Sequence, residues 1–362
     1  MIETPCMIID ERKMEQNIRK MAQIAEKNGV QLRPHVKTHK IPEIAKKQLA
    51  EGATGITVAK VSEAEVMAEH GIHDIFIAYP LVIESKIERA IALSKNINLI
   101  VGVDSIEGAK KLSELAKKHH HTLSVRLEVD TGLKRTGVLY ERAVALANEI
   151  NQLDNLRLSG IYTFRGAVFQ GKPTRDLKKA GLEEGKLMVS LANKMREAGI
   201  DIQDVSVGST PTAEYAAQVE GVTEIRPGTY VFYDMMQVNL GVCRLDECAA
   251  TVLTSVVSKP SENLLIIDGG SKTFATDVQP HTWPSNLIGF GYITNLPEAI
   301  FDRLTEEHGM VTLPGDENIQ IGDRLEVIPN HICSTVNLHN HVYIKNEQGL
   351  TKVTVAGRGK LD

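Results

Sequence analysis

The sequence predicts an α/β protein, a (β/α)8 barrel followed by an antiparallel β domain. Strand-like and amphipathic helical patterns alternate through the first two thirds of the 362 residues, and eight strands can be counted there. After about residue 240 short β-like runs follow one another, separated by Pro and Gly turns. We therefore place the barrel at 10–240 and the β domain at 241–362, with 1–9 as a candidate addition to the β domain. A doubly wound open sheet is the alternative, because periodicity does not distinguish an open sheet from a closed one.

The first barrel helix is predicted to start after Asp10, a residue type that caps helices, and to end before Asn28 and Gly29. Between them apolar residues repeat at helical spacing, namely Met14, Ile18, Met21 and Ala25. The predicted barrel strands are 30–35, 55–59, 74–78, 97–103, 122–129, 156–164, 205–208 and 222–226. The predicted strands of the β domain are 250–257, 264–268, 286–293, 325–331, 335–338, 341–345 and 353–356.

Composition narrows the class of function. The formal net charge of -5 argues against a general nucleic-acid surface. The N-terminal segment lacks a basic stretch followed by a long apolar run, and no stretch approaches the length of a membrane span, so we expect a cytoplasmic protein. The four cysteines lack the spacing of a small secreted framework, which favours free thiols or metal ligands over disulfides. We expect the partner to be a small molecule rather than nucleic acid or membrane.

The stretch Arg33-Pro-His-Val-Lys-Thr-His-Lys places Lys37 at the end of the first predicted barrel strand. Active sites of such barrels lie at the carboxyl ends of the strands. A lysine amine can hold an aldehyde as an imine and pass it to an incoming amino acid, so we predict that Lys37 carries pyridoxal phosphate. A lysine beside two histidines and another lysine is also typical of a solvated basic loop, and the stretch alone does not decide between the two.

Two further strand ends carry loops suited to a phosphate group. Gly208-Ser-Thr-Pro-Thr follows the seventh strand and Arg226-Pro-Gly-Thr-Tyr follows the eighth, which are the loops where such barrels commonly bind phosphate. Glycine lets the backbone approach the ligand, while exposed amides and hydroxyls donate to its oxygens. Each loop alone fits an ordinary turn, but both together with Lys37 predict a bound cofactor. The candidate residues are Gly208, Ser209, Thr210, Gly228, Thr229 and Tyr230.

Two other side chains at strand ends are cofactor candidates. Arg135 follows the fifth strand in Asp130-Thr-Gly-Leu-Lys-Arg and could hold an anionic oxygen of the cofactor ring through its fixed positive charge. A surface salt bridge to Asp130 is the alternative. Tyr162 lies near the end of the sixth strand and could stack on the cofactor or hydrogen-bond to it, although strand tyrosines are often simply core residues.

The β domain offers a metal-binding pair in Pro329-Asn-His-Ile-Cys. On an extended strand, residues two apart project to the same face, so His331 and Cys333 could bind one metal together. Imidazole and thiolate suit zinc, and two protein ligands would leave positions open for water or substrate. His339 and His341 are a competing pair, and a lone His or Cys in a β domain is usually just packed.

Together these motifs resemble the D-threonine aldolase and D-serine dehydratase family, whose wider group includes alanine racemase. The resemblance covers nearly the whole chain and implies a barrel of alanine racemase type, pyridoxal phosphate on Lys37 and a metal on His331 and Cys333. It also implies phosphate and ring contacts from several of the candidates above, namely Tyr162, Thr210, Gly228, Thr229 and Tyr230. Members of the group often dimerise, the β domain of one subunit approaching the barrel of the other, so a homodimer is expected.

The family's reactions start from a D-3-hydroxy amino acid whose β-hydroxyl binds the metal. In the aldolase the Cα–Cβ bond breaks and gives glycine and an aldehyde. In the dehydratase Lys37 removes the α-proton, hydroxide leaves, and a keto acid and ammonia form. The resemblance therefore implies a lyase that depends on pyridoxal phosphate and a divalent metal, with zinc expected and manganese or magnesium as alternatives.

The segment after Tyr162 departs from both patterns. The aldolases usually carry a histidine a few residues beyond this tyrosine, whereas 162–170 contains none and offers Arg165 instead. The dehydratases tend to carry a second tyrosine at the position of Phe169. We place retro-aldol cleavage of D-threonine-type substrates first and D-serine dehydration second. The dehydratase reaction would lack the tyrosine hydroxyl beside its leaving group, and the aldolase reaction would lack its histidine base. The hydroxyl is the harder of the two to replace, because water or His35 could supply a base.

Two interpretations come from other classes of protein. An amino-acid racemase would need a tyrosine acid from the β domain, for which Tyr292 and Tyr343 are candidates, but it gives the metal pair no role. A non-enzymatic cofactor carrier of the same barrel type generally lacks a β domain, so the residues after 240 argue against it.

Overall fold

The computed structural model describes residues 2–315 and 317–362. Numbered in chain order, its strands are β1 (Cys6–Asp10), β2 (Gln31–Leu32), β3 (Ile56–Val58), β4 (Asp74–Pro80), β5 (Asn98–Val103), β6 (Leu123–Asp130), β7 (Val138–Leu139), β8 (Leu156–Tyr162), β9 (Val168–Phe169), β10 (Lys172–Pro173), β11 (Asp204–Val207), β12 (Glu224–Ile225), β13 (Ala250–Ser261), β14 (Leu264–Ile267), β15 (Gly291–Ile293), β16 (Ile300–Leu304), β17 (Gly309–Thr312), β18 (Arg324–Pro329), β19 (His341–Asn346) and β20 (Gly349–Thr354). Its helices are α1 (Glu11–Lys27), α2 (Pro42–Ala50), α3 (Val61–Glu69), α4 (Glu84–Ser94), α5 (Ile106–Lys118), α6 (Ala143–Asn151), α7 (Leu177–Glu197), α8 (Ala213–Ala216), α9 (Met235–Asn239) and α10 (Ile332–Val336). Within the described ranges, no helix has the length and apolar character needed to cross a membrane.

The chain forms two compact units. The barrel unit comprises Lys20–Lys37, Pro42–Gly228 and Lys360–Asp362. The β unit comprises the N-terminal segment up to Arg19, Thr38–Ile41 and Thr229–Gly359.

The barrel unit is built on eight parallel strands in the order β2, β12, β11, β8, β6, β5, β4, β3. The two ends of this order meet, because His35 forms a parallel bridge with Thr57 and the Thr57 amide donates to the carbonyl oxygen of Pro34 at 2.8 Å. The ring of strands is therefore closed. This confirms the (β/α)8 prediction and excludes the open sheet.

Sequence signals account for the helices around this ring. At the start of α1 the Asp10 carboxylate accepts the Lys13 amide at 2.9 Å, as the capping prediction required. The apolar residues predicted for its inner face, Met14, Ile18, Met21 and Ala25, are all buried. Ser105 and Asp176 cap α5 and α7 in the same way. These three helices thus begin at a capping side chain and bury apolar residues along one face.

Charged residues fill part of the barrel interior. Glu224 accepts from Arg33 Nε at 2.7 Å and from Arg126 Nη1 at 2.6 Å. It also accepts from Ser206 Oγ at 2.6 Å, while Arg226 Nε donates to that same hydroxyl at 2.7 Å. Burial alone would raise the pKa of Glu224, but the guanidinium groups of Arg126 and Arg33 lower it to about 2. The core of the barrel therefore holds an ionised carboxylate among arginines.

The β unit contains a sheet in the order β16, β17, β14, β13, β1, β19, β20, with β18 paired to β13 and β15 paired to β18. Its strands pair antiparallel except β1 with β19, which are parallel. Because β1 lies between β13 and β19, residues from the start of the chain complete the sheet. The prediction of a C-terminal antiparallel β domain is confirmed.

Two sequence predictions in this unit were wrong. The strand predicted at 335–338 does not form, because β18 ends at Pro329 and the chain turns into α10, where the Thr335 hydroxyl bonds back to the carbonyl of His331 at 2.8 Å. The sequence analysis also missed β16 and β17. Each of these strands completely buries one large apolar residue, Phe301 in β16 and Val311 in β17. The alternation of apolar and polar residues is therefore too short to indicate a strand.

Candidate active site

Lys37 lies in a single 3-10 turn, Val36–Thr38, that follows the first barrel strand. Its amide donates to His35 Nδ1 at 3.4 Å, which ties the histidine ring to the turn. Lys37 Nζ lies 5.5 Å from the centre of the Phe164 ring, and the guanidinium carbon of Arg135 lies 5.0 Å from the same ring. The structure thus brings both predicted cations to one aromatic ring. The sequence analysis missed Phe164, although its position two residues after Tyr162 could have indicated it.

Tyr162 is a buried hydrogen-bond donor rather than a stacking surface alone. Its hydroxyl donates to Glu128 Oε2 at 3.1 Å, and Thr136 Oγ1 donates to Glu128 Oε1 at 2.8 Å. Burial, followed by the charge of Glu128, raises the pKa of Tyr162 well above its usual value. The close fit extends to Gly102, where a Cβ atom would stand 2.3 Å from the tyrosine hydroxyl. Tyr162 is therefore neutral and fixed in position.

The loop after the seventh barrel strand is held from below by α7. Gly208 has a φ of 80°, and its amide donates to Glu184 Oε1 at 3.2 Å. Thr212 Oγ1 donates to Glu184 Oε2 at 3.1 Å and accepts the Ser209 amide at 3.1 Å. Burial raises the pKa of Glu184 to about 7, against the opposing effect of these bonds and of the more distant Arg226 and Arg165. The sequence analysis missed Glu184 because nothing in its helix marks it.

This loop suits a phosphate through its hydroxyls. Ser209 and Thr210 are buried in it, whereas the amides of Gly208 and Ser209 are engaged by Glu184 and Thr212. Pro211 has no amide hydrogen, and the amides of Thr212 and Ala213 donate to the Ser209 carbonyl, so a phosphate would be met mainly by the hydroxyls. Together with the amine of Lys37, the donor set fits pyridoxal phosphate.

Arg165 and Phe169 both lie beside residues of α7. The Arg165 guanidinium is buried and pairs with Glu183 of α7, whose carboxylate also accepts the Gln170 amide at 3.0 Å. Phe169 lies in the β9–β10 hairpin and lines a hollow of about 410 Å³ with residues of α7, including Leu187. A catalytic role of Arg165 stays a prediction. An arginine keeps its proton at neutral pH, so it could act only as a charge or donor.

The second phosphate-loop motif divides between the units. Gly228 ends the barrel portion, and Thr229–Val231 form a 3-10 turn in the β unit. The amides of Phe232 and Tyr233 both donate to the carbonyl oxygen of Thr229, at 3.1 and 2.7 Å. Tyr230 is completely buried. The contacts of Gly228, Thr229 and Tyr230 with a cofactor stay predictions.

In the β unit His331 and Cys333 do meet, but not as neighbours on a strand. His331 is the residue before α10, and Cys333 is inside the helix. The side chains hydrogen-bond to each other, and Asp277 accepts from His331 Nδ1 at 2.6 Å. The strand geometry assumed from the sequence was therefore wrong, while the pairing it suggested is present.

The thiol of Cys333 has two threonine neighbours as well. Its Sγ lies 3.2 Å from Thr38 Oγ1 and 3.4 Å from Thr229 Oγ1. Burial alone would raise its pKa, but the hydrogen bond and charge of His331 bring it below the usual value. Conversely, burial alone would lower the pKa of His331, but Asp277 and Cys333 raise it to about 11. The two side chains share a proton, which a metal cation bound to both would replace.

This donor set fits a metal with few protein ligands. Among the residues that the structure describes, no group of three or more His, Cys, Asp and Glu side chains is arranged to hold a metal. An imidazole and a thiolate alone would leave the other positions to water or substrate. The competing candidates His339 and His341 contact other groups. His339 Nε2 contacts the carbonyl of Thr273 at 3.1 Å, and His341 Nδ1 contacts Thr354 Oγ1 at 3.4 Å.

Comparison with known proteins agrees with this arrangement. Residues 9–235 match the family described as alanine racemase, N-terminal domain, and residues 249–345 match a serine dehydratase domain. The D-threo-3-hydroxyaspartate dehydratase of Delftia sp. (strain HT23) is 31% identical over 92% of this chain and 92% of that protein. The D-threonine aldolase of Arthrobacter sp is also 31% identical, over 95% of this chain and 89% of its own length.

A solved structure extends the likeness to three dimensions. It is a cysteine-to-alanine mutant of the D-threo-3-hydroxyaspartate dehydratase in the metal-free form, and it matches with a TM-score of 0.90 and 30% identity over 98% of this chain and 97% of that one. These findings confirm the fold class and the lyase class that the sequence predicted. The chain belongs to the family that joins an alanine racemase N-terminal domain to a serine dehydratase domain.

Proposed function

We propose that this protein is a pyridoxal-phosphate-dependent, metal-assisted lyase that cleaves D-3-hydroxy amino acids of the D-threonine type to glycine and an aldehyde. The contact between His331 and Cys333 carries the proposal. A metal on this pair would act as a Lewis acid on the substrate's β-hydroxyl. An amino-acid racemase has no use for such a site. The aldolase and dehydratase relatives support the same class of reaction.

The side chains of the barrel unit have separate tasks in this proposal. When bound, the cofactor withdraws electron density from the substrate's α-carbon and the metal polarises the hydroxyl. Lys37 would hold the cofactor, and Arg135, which contacts the same Phe164 ring, would place a positive charge beside the cofactor ring. Tyr162 would remain a fixed, neutral hydrogen-bonding group. His35 is the proposed base, and because its Nδ1 accepts the Lys37 amide, it would take the proton at Nε2.

Dehydration of D-serine-type substrates is the second candidate, and the position of Phe169 favours it. The sequence analysis weighed against dehydration because a tyrosine hydroxyl is missing there. Phe169 lines the hollow beside α7 together with Leu187, and we infer that a hydroxyl at this position would not reach the leaving group. Dehydration also needs no base beyond Lys37.

We propose zinc as the metal, because a thiolate and an imidazole are its usual ligands, with manganese and magnesium as alternatives. We further propose a cytoplasmic homodimer. Light scattering on the purified protein, giving twice the chain mass, would support the dimer, and the mass of one chain would contradict it.

A product assay separates these reactions. Protein loaded with pyridoxal phosphate and zinc would receive D-threonine and, separately, D-serine. Glycine with acetaldehyde from D-threonine is the expected result. Keto acid and ammonia from D-serine would instead establish the dehydratase. Absence of both products, with the cofactor bound, would overturn the proposal.

The cofactor lysine is tested by Lys37→Ala, with Lys40→Ala as the matched control. We expect Lys37→Ala to abolish both the visible absorbance of the bound cofactor and activity, because the amine that holds the aldehyde is gone. Lys40→Ala should keep the absorbance. The reverse pattern would move the cofactor to Lys40.

A further inference from the structure

The carboxylate of Asp277 contacts the imidazole ring of His331, which in turn contacts Cys333. Asp277 Oδ2 lies 2.6 Å from His331 Nδ1 and accepts from Ser334 Oγ at 3.0 Å. Because Nδ1 is occupied, Nε2 is the ring nitrogen left to face Cys333. The carboxylate thus selects which nitrogen of His331 points toward the thiolate.

The segment that carries Asp277 is held in place from two directions. Phe274 is completely buried and packs edge-on against Phe301, with ring centres 5.0 Å apart. The Phe274 amide donates to the carbonyl of Gly270 at 2.9 Å. On the other side, the Ala275 amide donates to Thr335 Oγ1 of α10 at 3.3 Å. The backbone just before Asp277 is therefore fixed to the same helix that contains Cys333.

We propose that Asp277 is the positioning residue of the metal site, holding His331 with Nε2 toward Cys333 so that a borderline divalent cation meets a preformed nitrogen and sulfur pair. This inference rests on the proposed function. A carboxylate on the second ring nitrogen fixes the ring's orientation and increases its strength as a ligand. Ser334 restrains the same carboxylate oxygen, so it acts one step further from the metal.

An ordinary surface ion pair is the alternative. Asp277 is 46% exposed, and exposed pairs stabilise proteins little. The two interpretations differ in one measurable property. A surface pair would leave metal affinity unchanged, whereas loss of an orienting carboxylate typically lowers metal affinity about 10- to 100-fold.

The test is a titration of the full-length protein with cobalt(II), followed by the thiolate-to-cobalt absorbance and by calorimetry. The variants are Asp277→Asn, which keeps the shape, and Asp277→Ala. The matched control is Asp302→Asn, since Asp302 is 51% exposed and also pairs with a basic residue, Arg303. We expect the cobalt dissociation constant to rise about 10- to 100-fold for both Asp277 variants and to stay within about twofold for Asp302→Asn.

Unchanged cobalt affinity in Asp277→Asn would overturn the proposal, as would a wild-type protein that binds no cobalt. Thermal unfolding of the metal-free variants shows whether the fold is intact. If Asp277→Asn unfolds early, Ser334→Ala takes its place, with a smaller expected loss, and no loss counts against the proposal. A wild-type protein that binds cobalt through Cys333 but cleaves no D-3-hydroxy amino acid would refute the proposed function alone.

Discussion

Two glutamates of the barrel unit are completely buried, yet their pKa values are shifted in opposite directions. Glu224, in the barrel interior, contacts Arg33 and Arg126, and its pKa is lowered to about 2. Glu184, beneath the Gly208 loop, is met by an amide and a hydroxyl, and its pKa is raised to about 7. Burial raises both, and only direct guanidinium contacts reverse it. The partner of a buried acid, rather than its depth, decides whether it works as a fixed charge or as a proton carrier.

Glu224→Gln should produce the largest effect. It removes the fully buried carboxylate that Arg33 and Arg126 share and leaves them only Asp74 and Asp204, and breaking such a buried group costs about 3–5 kcal/mol of unfolding free energy. Urea denaturation at pH 7 measures the loss. Glu88→Gln is the control, because Glu88 forms only surface pairs, with Lys118 at 3.1 Å and with His119 at 3.6 Å, and its loss should lower the unfolding free energy far less. Equal losses in the two variants would contradict the comparison.

Acid denaturation tests the direction in which the pKa of Glu224 is shifted. The pKa of Glu224 is lowered in the folded state. Its contribution to the unfolding free energy is therefore present above the unfolded pKa of about 4.3 and is lost as pH falls toward 2. We therefore expect the unfolding free energy of the wild type to fall more steeply below about pH 4 than that of Glu224→Gln. Parallel curves would show that Glu224 is not ionised in the fold.

Glu184 should give the opposite pH dependence, of intermediate size. The folded state keeps a proton that the unfolded state releases between about pH 4.3 and 7, so stability falls as pH rises through this window. The shift corresponds to roughly 3 kcal/mol. Glu184→Gln has no carboxyl proton to release. Between pH 5 and 8 the wild type should therefore lose more unfolding free energy than the variant. A pH-independent difference between the two would place an ionised carboxylate at 184.

The smallest effect is expected from Thr212→Val. The valine removes the hydroxyl that donates to Glu184 and accepts the Ser209 amide, at about 1–3 kcal/mol for the groups left unpaired. It should also weaken binding of pyridoxal phosphate, because the loop loses its support. Equilibrium dialysis of the cofactor measures that loss. Thr223→Val, which removes another bond to the barrel backbone at Val205, is the control and should leave cofactor affinity unchanged.

The barrel and its strand-end loops could be predicted because the fold converts sequence order into spatial order. Parallel strands end at one face, so the position of Lys37 and of the Gly208 loop followed from the count of strands. Pairs formed by side chains from distant segments were beyond such a pattern. Asp277 is 54 residues from His331, and Thr38 is 295 residues from Cys333.

His331 and Cys333 show how a predicted contact can be present although the geometry assumed for it was wrong. The sequence analysis placed both residues on an extended strand, where residues two apart share a face. The backbone instead turns into α10, where the Asp234 carboxylate accepts the Ile332 amide at 3.0 Å. That contact joins residues 98 apart and carries no local signal. Side-chain support of this kind decides between helix and strand in short apolar segments.

The contact between Gly102 and Tyr162 restricts which sequences this barrel can accept. Any side chain at 102 would bring its first carbon to 2.3 Å from the tyrosine oxygen, which Glu128 holds in place. Residue 102 therefore cannot become larger while Tyr162 keeps its place. Among relatives, a residue larger than glycine at 102 should occur together with a shorter side chain at 162, so the two positions are expected to covary as one inherited unit.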